Sequence, residues 1–193
     1  SPSITYRSYH LQRILKYGCN PHQSRSGIHT INDNNVPFDI LNGTPGYINI
    51  LDAIYSWQLV KELSECLGME SAASYKHTSP AGVGTCKPLS DELKKMYDVE
   101  NIDLSPLGTA FIRARNSDPL SSFGDFIALS HEVDVPTAKL IKRYISDGVV
   151  APSYSEEALK ILKSKRGGKY LILQVDPTYE NKEELEVREL FGI

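Results

Sequence analysis

Between residues 50 and 176, amphipathic helical stretches alternate with short, strongly apolar strands, and few architectures accept that order. Ile50, Ile54, Trp57, Val60, Leu63 and Leu67 recur at steps of three and four and predict a helix over 51–68. Asn49 or Asp52 can cap its start and Gly68 its end. Residues 71–77 read as a buried strand that stops in the turn-rich loop Thr78-Ser79-Pro80-Ala81-Gly82. A weaker helix is predicted over 90–97. Ser105 followed by Pro106 is an N-cap with proline at the first helical position, leading through Leu107, Ala110, Phe111 and Ala114 to an end near Asn116. The loop 121–125 precedes a strand at 126–129. Residues 136–146 predict a helix with Ala138, Leu140, Ile141 and Ile145 partly inward, and 148–151 a strand, with an Asp147-Gly148 turn between them. Ser153 and Glu156 form a capping box for a helix over 156–165, ended by Gly167-Gly168 before the apolar run 170–175. The expected fold class is α/β, a sheet covered on both faces in one domain spanning 1–193, with exposed connections at Asp33-Asn34-Asn35 and 179–184.

Composition narrows the function classes. The formal charge is 21 − 24 = −3, with 40% hydrophobic and 23% charged residues, which disfavours disorder and a dedicated nucleic-acid binder. No apolar run approaches the ~20 residues that cross a bilayer, and the opening SPSITYRSYH is unlike a signal peptide, so a cytosolic protein without a membrane partner is expected. Cys19, Cys66 and Cys86 cannot form a C-x-x-C knuckle, and buried free thiols are the favoured reading. P-loop, Rossmann, zincin and nucleophile-elbow fingerprints are all absent from the sequence.

Lys76 and His77 are the most informative pair, because an apolar strand delivers an ammonium and an imidazole to its end. Histidine exchanges protons near neutrality, and lysine holds developing negative charge. Neighbours on a regular strand face opposite ways, so one site receives both only where the backbone leaves strand geometry. From spacing alone, the commoner reading is a surface lysine beside a structural histidine. Lys16 and Tyr17, in Lys16-Tyr17-Gly18-Cys19-Asn20-Pro21-His22-Gln23, can grip phosphate, though a solvated turn fits as well. Backbone N–H groups of Ser122-Phe123-Gly124 can approach an anion or ribose, and Asp147 can accept from ribose hydroxyls, yet a loop and a turn account for both. The basic group Lys163, Lys165, Arg166 and Lys169 fits a solvated helix end.

Taken together, the chain resembles the AICAR transformylase family, the folate-dependent formyl-transfer region of bifunctional purine biosynthesis proteins that also carry IMP cyclohydrolase. The resemblance runs in order through Leu15-Lys16-Tyr17-Gly18, Asn20-Pro21-His22-Gln23, Leu41-Asn42-Gly43, Trp57-Gln58-Leu59-Val60-Lys61-Glu62-Leu63 and Ala72-Ala73-Ser74-Tyr75-Lys76-His77 with Ser79-Pro80-Ala81-Gly82. It continues through Arg113-Ala114-Arg115, Ser121-Ser122-Phe123-Gly124-Asp125-Phe126, Ser146-Asp147-Gly148 and Glu157-Ala158-Leu159.

The resemblance implies a three-layer α-β-α, cytidine-deaminase-like unit, the first half of the transformylase region, with the second half and the cyclohydrolase domain absent. It implies transfer of a formyl group from the co-substrate 10-formyltetrahydrofolate to the 5-amino group of the AICAR nucleotide. His77 would be the proton acceptor, and Lys76 would stabilise the oxyanion or deliver a proton to the departing folate nitrogen. Tyr17, Phe123, Gly124 and Asp147 would contact nucleotide, with Lys16 and Tyr17 reaching the phosphate in a partner subunit's site, hence a homodimer. Lys16 stands where the family has Arg, which keeps the charge and loses the bidentate fork. Folate-binding segments would lie outside this chain. No metal is expected in it, since H-x-E and P-C-x-x-C are both missing. The alternative is a noncatalytic half-domain that binds nucleotide or a complementary half.

Overall fold

A computed structural model describes residues 4, 6–31 and 35–180. Numbered along the chain, β1 (Tyr9–Ile14) and β2 (Gly27–Ile31) form an antiparallel hairpin of their own. The main sheet has six strands in the spatial order β3 (Phe38–Asn42), β8 (Leu171–Val175), β7 (Ser146–Ala151), β6 (Asp125–Leu129), β4 (Ser71–Lys76) and β5 (Ser79–Thr85). Its centre, β6-β7-β8, is parallel, and β3, β4 and β5 pair antiparallel at the flanks.

The layers follow from strand alternation. On β6, Ile127 and Leu129 face a core shared with α3 (Pro106–Ser117), α4 (Val135–Arg143) and α5 (Glu156–Lys163), whereas Phe126 and Ala128 face α1 (Tyr47–Leu67). Helices therefore cover both faces, as a nearly unbroken apolar strand requires. Phe111, Ile112, Leu140, Leu162 and Ile172 are almost wholly buried on the first side. Side chains of that size contribute roughly 1.5–3 kcal/mol each on leaving water. A short α2 (Asp91–Met96) starts at Ser90, whose hydroxyl accepts from the Leu93 N–H.

Several expectations change in detail. The loop expected at 78–82 is a two-residue turn, His77-Thr78, entering β5. Pro80 is accommodated because β5 is an edge strand. The first helix begins at Gly46, whose N–H donates to Asn49 Oδ1 at 2.9 Å, so Asn49 caps from inside the helix and Asp52 does not cap it. Ser155, not Ser153, caps α5. Asp147-Gly148 lies inside β7, where a Gly148 Cβ would stand 2.6 Å from the Phe126 ring. Ile145 is 57% exposed because α4 stops at Arg143. None of the three free thiols is buried, since Cys19 and Cys66 are exposed and Cys86 is partly so. Asp33, Asn34 and 181–184 of the expected connections fall outside the described residues. No helix among the described residues is long and apolar enough to cross a membrane.

The closest layer contact joins β5 to α3. A Cβ on Gly84 would lie 2.5 Å from the Ala110 carbonyl oxygen and 2.6 Å from the Ala114 nitrogen, both backbone atoms that cannot turn away. Gly84→Ala is therefore expected to lower stability by about 1–3 kcal/mol. Urea unfolding reads this directly, and an unchanged midpoint would show that α3 can shift at no cost.

Candidate functional site

Strand direction decides which residues meet. Because β4 runs antiparallel to β6, its carboxyl end, bearing Lys76, lies with the amino ends of β6 and β7, bearing Asp125 and Asp147. The carboxyl end of β3 lies with the amino end of β8, so α1 also starts at this end of the sheet. The usual location in parallel sheets is the opposite one, outside the strands' carboxyl ends.

Lys76 keeps the alternation of β4, on the side of Ala72 and Ser74, and its Nζ donates to the Phe123 carbonyl at 2.5 Å. His77 leaves strand geometry with φ 52°, and Thr78 follows at 65°. Departure from strand geometry is the condition set by the sequence for the two side chains to serve one site. The Thr78 N–H donates to Asp52 Oδ1 at 2.6 Å. Burial pushes the Asp52 carboxyl above its usual value, while the Thr78 N–H and the charge of His77 pull it down and Asp147 pushes it up. Asp52, His77 and Asp147 thus share one electrostatic neighbourhood.

Asp52 did not emerge from the sequence as part of this site. The available signal was a carboxylate within the buried stripe of Ile50, Ala53, Ser56 and Trp57.

Asp147 pairs with Arg166 at 3.1 Å, both about half exposed, beside a cleft of about 360 Å³ lined also by Thr44, Asn49, Lys169 and Leu171. The basic group expected to be a solvated helix end is thus divided. Lys165 turns inward, donating to the Tyr144 carbonyl, and Arg166 closes on Asp147.

The loop 121–124 offers no free anion nest, so of the two readings of its N–H groups the plain loop entering a strand is the one that fits. Its N–H groups are spent internally, Ser122 on Asp118, Phe123 on Leu120 and Gly124 on the Ile145 carbonyl. It presents instead the Phe123 side chain, 57% exposed, and Gly124 at φ 73° with open space where a Cβ would be. Lys16 and Tyr17 sit in the β1–β2 connection, with the Lys16 ammonium 5.9 Å from the Tyr17 ring. Among the described residues, no group of three or more His, Cys, Asp or Glu is placed to hold a metal ion.

Beneath the loop lies a buried polar network. Ser74 Oγ donates to Asp125 Oδ2 at 2.6 Å and stands 2.7 Å from Ser122 Oγ. Arg115 donates to the Ser122 carbonyl and lies 3.5 Å from Asp125 Oδ2. Asp125 Oδ1 has no partner. Burial raises the Asp125 carboxyl from 3.8 to about 6, against the opposing pulls of Ser74 and Arg115. Between those values the folded chain holds a proton that the unfolded chain has lost, so stability falls as pH rises through this window. A shift of that size corresponds to on the order of 3 kcal/mol. Asp125→Asn removes the titration, so its stability relative to the parent chain is expected to improve by that order between pH 4 and pH 7. Urea unfolding at both pH values measures it, and an equal difference at each would remove the assignment.

Comparisons with known proteins show the family. The chain is 32% identical over 196 residues to the bifunctional purine biosynthesis protein PurH of Halalkalibacterium halodurans, covering 100% of this chain and 34% of that protein. It is 31% identical over 182 residues to PurH of Bacillus subtilis, covering 92% of this chain and 31% of the relative. For PurH of Clostridium kluyveri the figures are 33% over 181 residues, 92% and 32%. The chain thus spans about a third of the length of the curated relatives it matches. The family model described as AICARFT/IMPCHase bienzyme matches residues 2–193, and the chain belongs to that family.

Proposed function

We propose that this chain carries part of a folate-dependent formyltransferase site, acting on the 5-amino group of aminoimidazole carboxamide ribonucleotide with 10-formyltetrahydrofolate as donor. The observation that carries the reading is the meeting, at one end of the sheet, of the Lys76-His77 turn with the Phe123-Gly124 loop and Asp147. The amine to be formylated is a poor nucleophile, because its lone pair is delocalised into the ring and the carboxamide. As its nitrogen bonds to the formyl carbon, it must lose a proton, and His77 accepts it. The carbonyl oxygen gains negative charge in the tetrahedral intermediate, and the Lys76 ammonium stabilises it. When the bond from the formyl carbon to folate nitrogen breaks, that nitrogen takes a proton, which Lys76 can supply. Asp147 accepts from ribose hydroxyls once Arg166 yields its carboxylate, while Phe123 and Gly124 border the nucleotide.

In this reading Lys16 and Tyr17 serve the phosphate of a second subunit's site. Support comes from their distance from the Lys76-His77 turn in the chain and from the apolar side chains that the hairpin exposes, Tyr9, Leu11 and Ile14. A homodimer in the cytosol follows from it. So does a substrate set of nucleotide and reduced folate without a resident metal.

The test is formyl transfer by the complete family enzyme carrying these residues. His77→Ala is expected to lower kcat by about 10²–10⁴-fold, the range of general-base catalysis, with ribonucleotide binding preserved. A kcat close to the parent's would remove His77 from its role. The 193 residues by themselves are expected to bind the ribonucleotide weakly and to show no measurable transfer. Robust turnover by them would overturn the view that the folate site lies on another segment.

A further inference from the structure

The reacting groups sit on a turn and a loop, and something must hold them in place. The outer half of the 121–124 loop has little to do so, since Phe123 is exposed and nothing lies within 4 Å of the Cβ position on Gly124. Its inner half is different. Ser122 is fully buried, with its hydroxyl on Ser74 and its carbonyl accepting from Arg115 and from the Asp125 N–H. Ser74 lies two residues before Lys76 on the same face of β4. Asp125 is therefore bonded through Ser74 to the strand that carries the ammonium. Through Ser122 and Arg115 it is also bonded to the loop whose carbonyl receives that ammonium.

We propose that Asp125 is a positioning residue, which with Arg115, Ser74 and Ser122 fixes the loop 121–124 so that the Phe123 carbonyl holds the Lys76 ammonium at the end of β4. Its bearing on formyl transfer rests on the role given to Lys76 above. Stability does not account for the arrangement: a buried ion pair is commonly no better than an apolar pair of the same volume, and here one carboxylate oxygen is left without a partner. The charged groups that face Asp125 are Arg115 from α3, Asp147 from β7 and Lys165 from the turn after α5. Arg115 is itself held over the Tyr144 ring at 4.7 Å, so its guanidinium is fixed on a second side.

The experiment is hydrogen exchange by nuclear magnetic resonance on the 193-residue chain, reading the amides of Phe123 and Gly124 and the side-chain ammonium of Lys76. Asp125→Asn is expected to speed these at least tenfold relative to the core amides of Val149 and Ile172. Ile127→Val, which trims the neighbouring core on the same strand, should change loop and core alike. Ser74→Ala, which removes only the hydroxyl joining β4 to Asp125 and Ser122, should loosen the loop in the same way. Loop and core changing in proportion in Asp125→Asn, or a loop unchanged in Ser74→Ala, would overturn the proposal. Ser74→Ala decides even where Asp125→Asn fails to fold. These readouts are geometric, so a negative result leaves the part given to His77 to be judged by kcat, and an intact kcat in His77→Ala leaves the network standing.

Discussion

The turn between β4 and β5 holds two residues at positive φ, His77 at 52° and Thr78 at 65°, and neither is glycine. A β-branched residue in that region is unusual, because its side chain crowds the backbone, and each such residue costs about 1–3 kcal/mol. A glycine or asparagine would make the same hairpin turn with less strain. What holds the turn is Asp52, a carboxylate on α1 buried to 5% exposure, which accepts the Thr78 N–H at 2.6 Å. Helix α1 is in turn fixed by Trp57 and Val60 against Phe126 and Leu173. The position of the imidazole is thus set by the packing of a whole layer, and strain at the turn is the local sign of it.

The alternation of helix and strand was readable because the parallel centre of the sheet is covered on both sides, so that 126–129 and 170–175 are apolar at every position that matters. Edge elements were harder. Strand β5 contains Pro80, Gly82 and Gly84, which read as a loop, and only the approach of α3 to within 2.1 Å of a Cβ position on Gly82 explains why glycine stands there. The strands β1, β2 and β3 were not anticipated: β1 is exposed throughout, β2 has one buried position and β3 none, so no apolar period stands out. Of the candidate site, Lys76 and His77 were legible from chain position alone. Asp52, Arg115 and Asp125 were not, since each acquires meaning from a partner 10 to 51 residues away in sequence.

Two buried cations sit behind this end of the sheet, Arg115 over Tyr144 and Lys165 over Tyr170 at 5.1 Å. Burial and the neighbouring Arg166 lower the Lys165 pKa, and Asp125 opposes them. The Tyr170 hydroxyl meets Ser146 at 2.7 Å, so the ring presents its face to the ammonium and its polar tip to the amino end of β7. Aromatic faces and carbonyls thus do part of the work that carboxylates would do in water, and Asp125 is a carboxylate near both cations.

The antiparallel placement of β4 has a chemical consequence. In an all-parallel sheet, strand termini of one kind gather at one edge, and helix amino termini follow them with their positive dipole ends. Here the carboxyl ends of β3 and β4 meet the amino ends of β6, β7 and β8, and the start of α1 is brought to the same edge by the return from β3. Loop carbonyls such as that of Phe123 therefore stand near side chains such as Lys76, while carboxylates at Asp52 and Asp147 stand near the start of a long helix. An edge that mixes donors and acceptors in this way suits a reaction in which a proton leaves one nitrogen and another nitrogen gains one. It would suit poorly a site whose only task was to hold an anion, for which the spent N–H groups of the 121–124 loop leave no cradle.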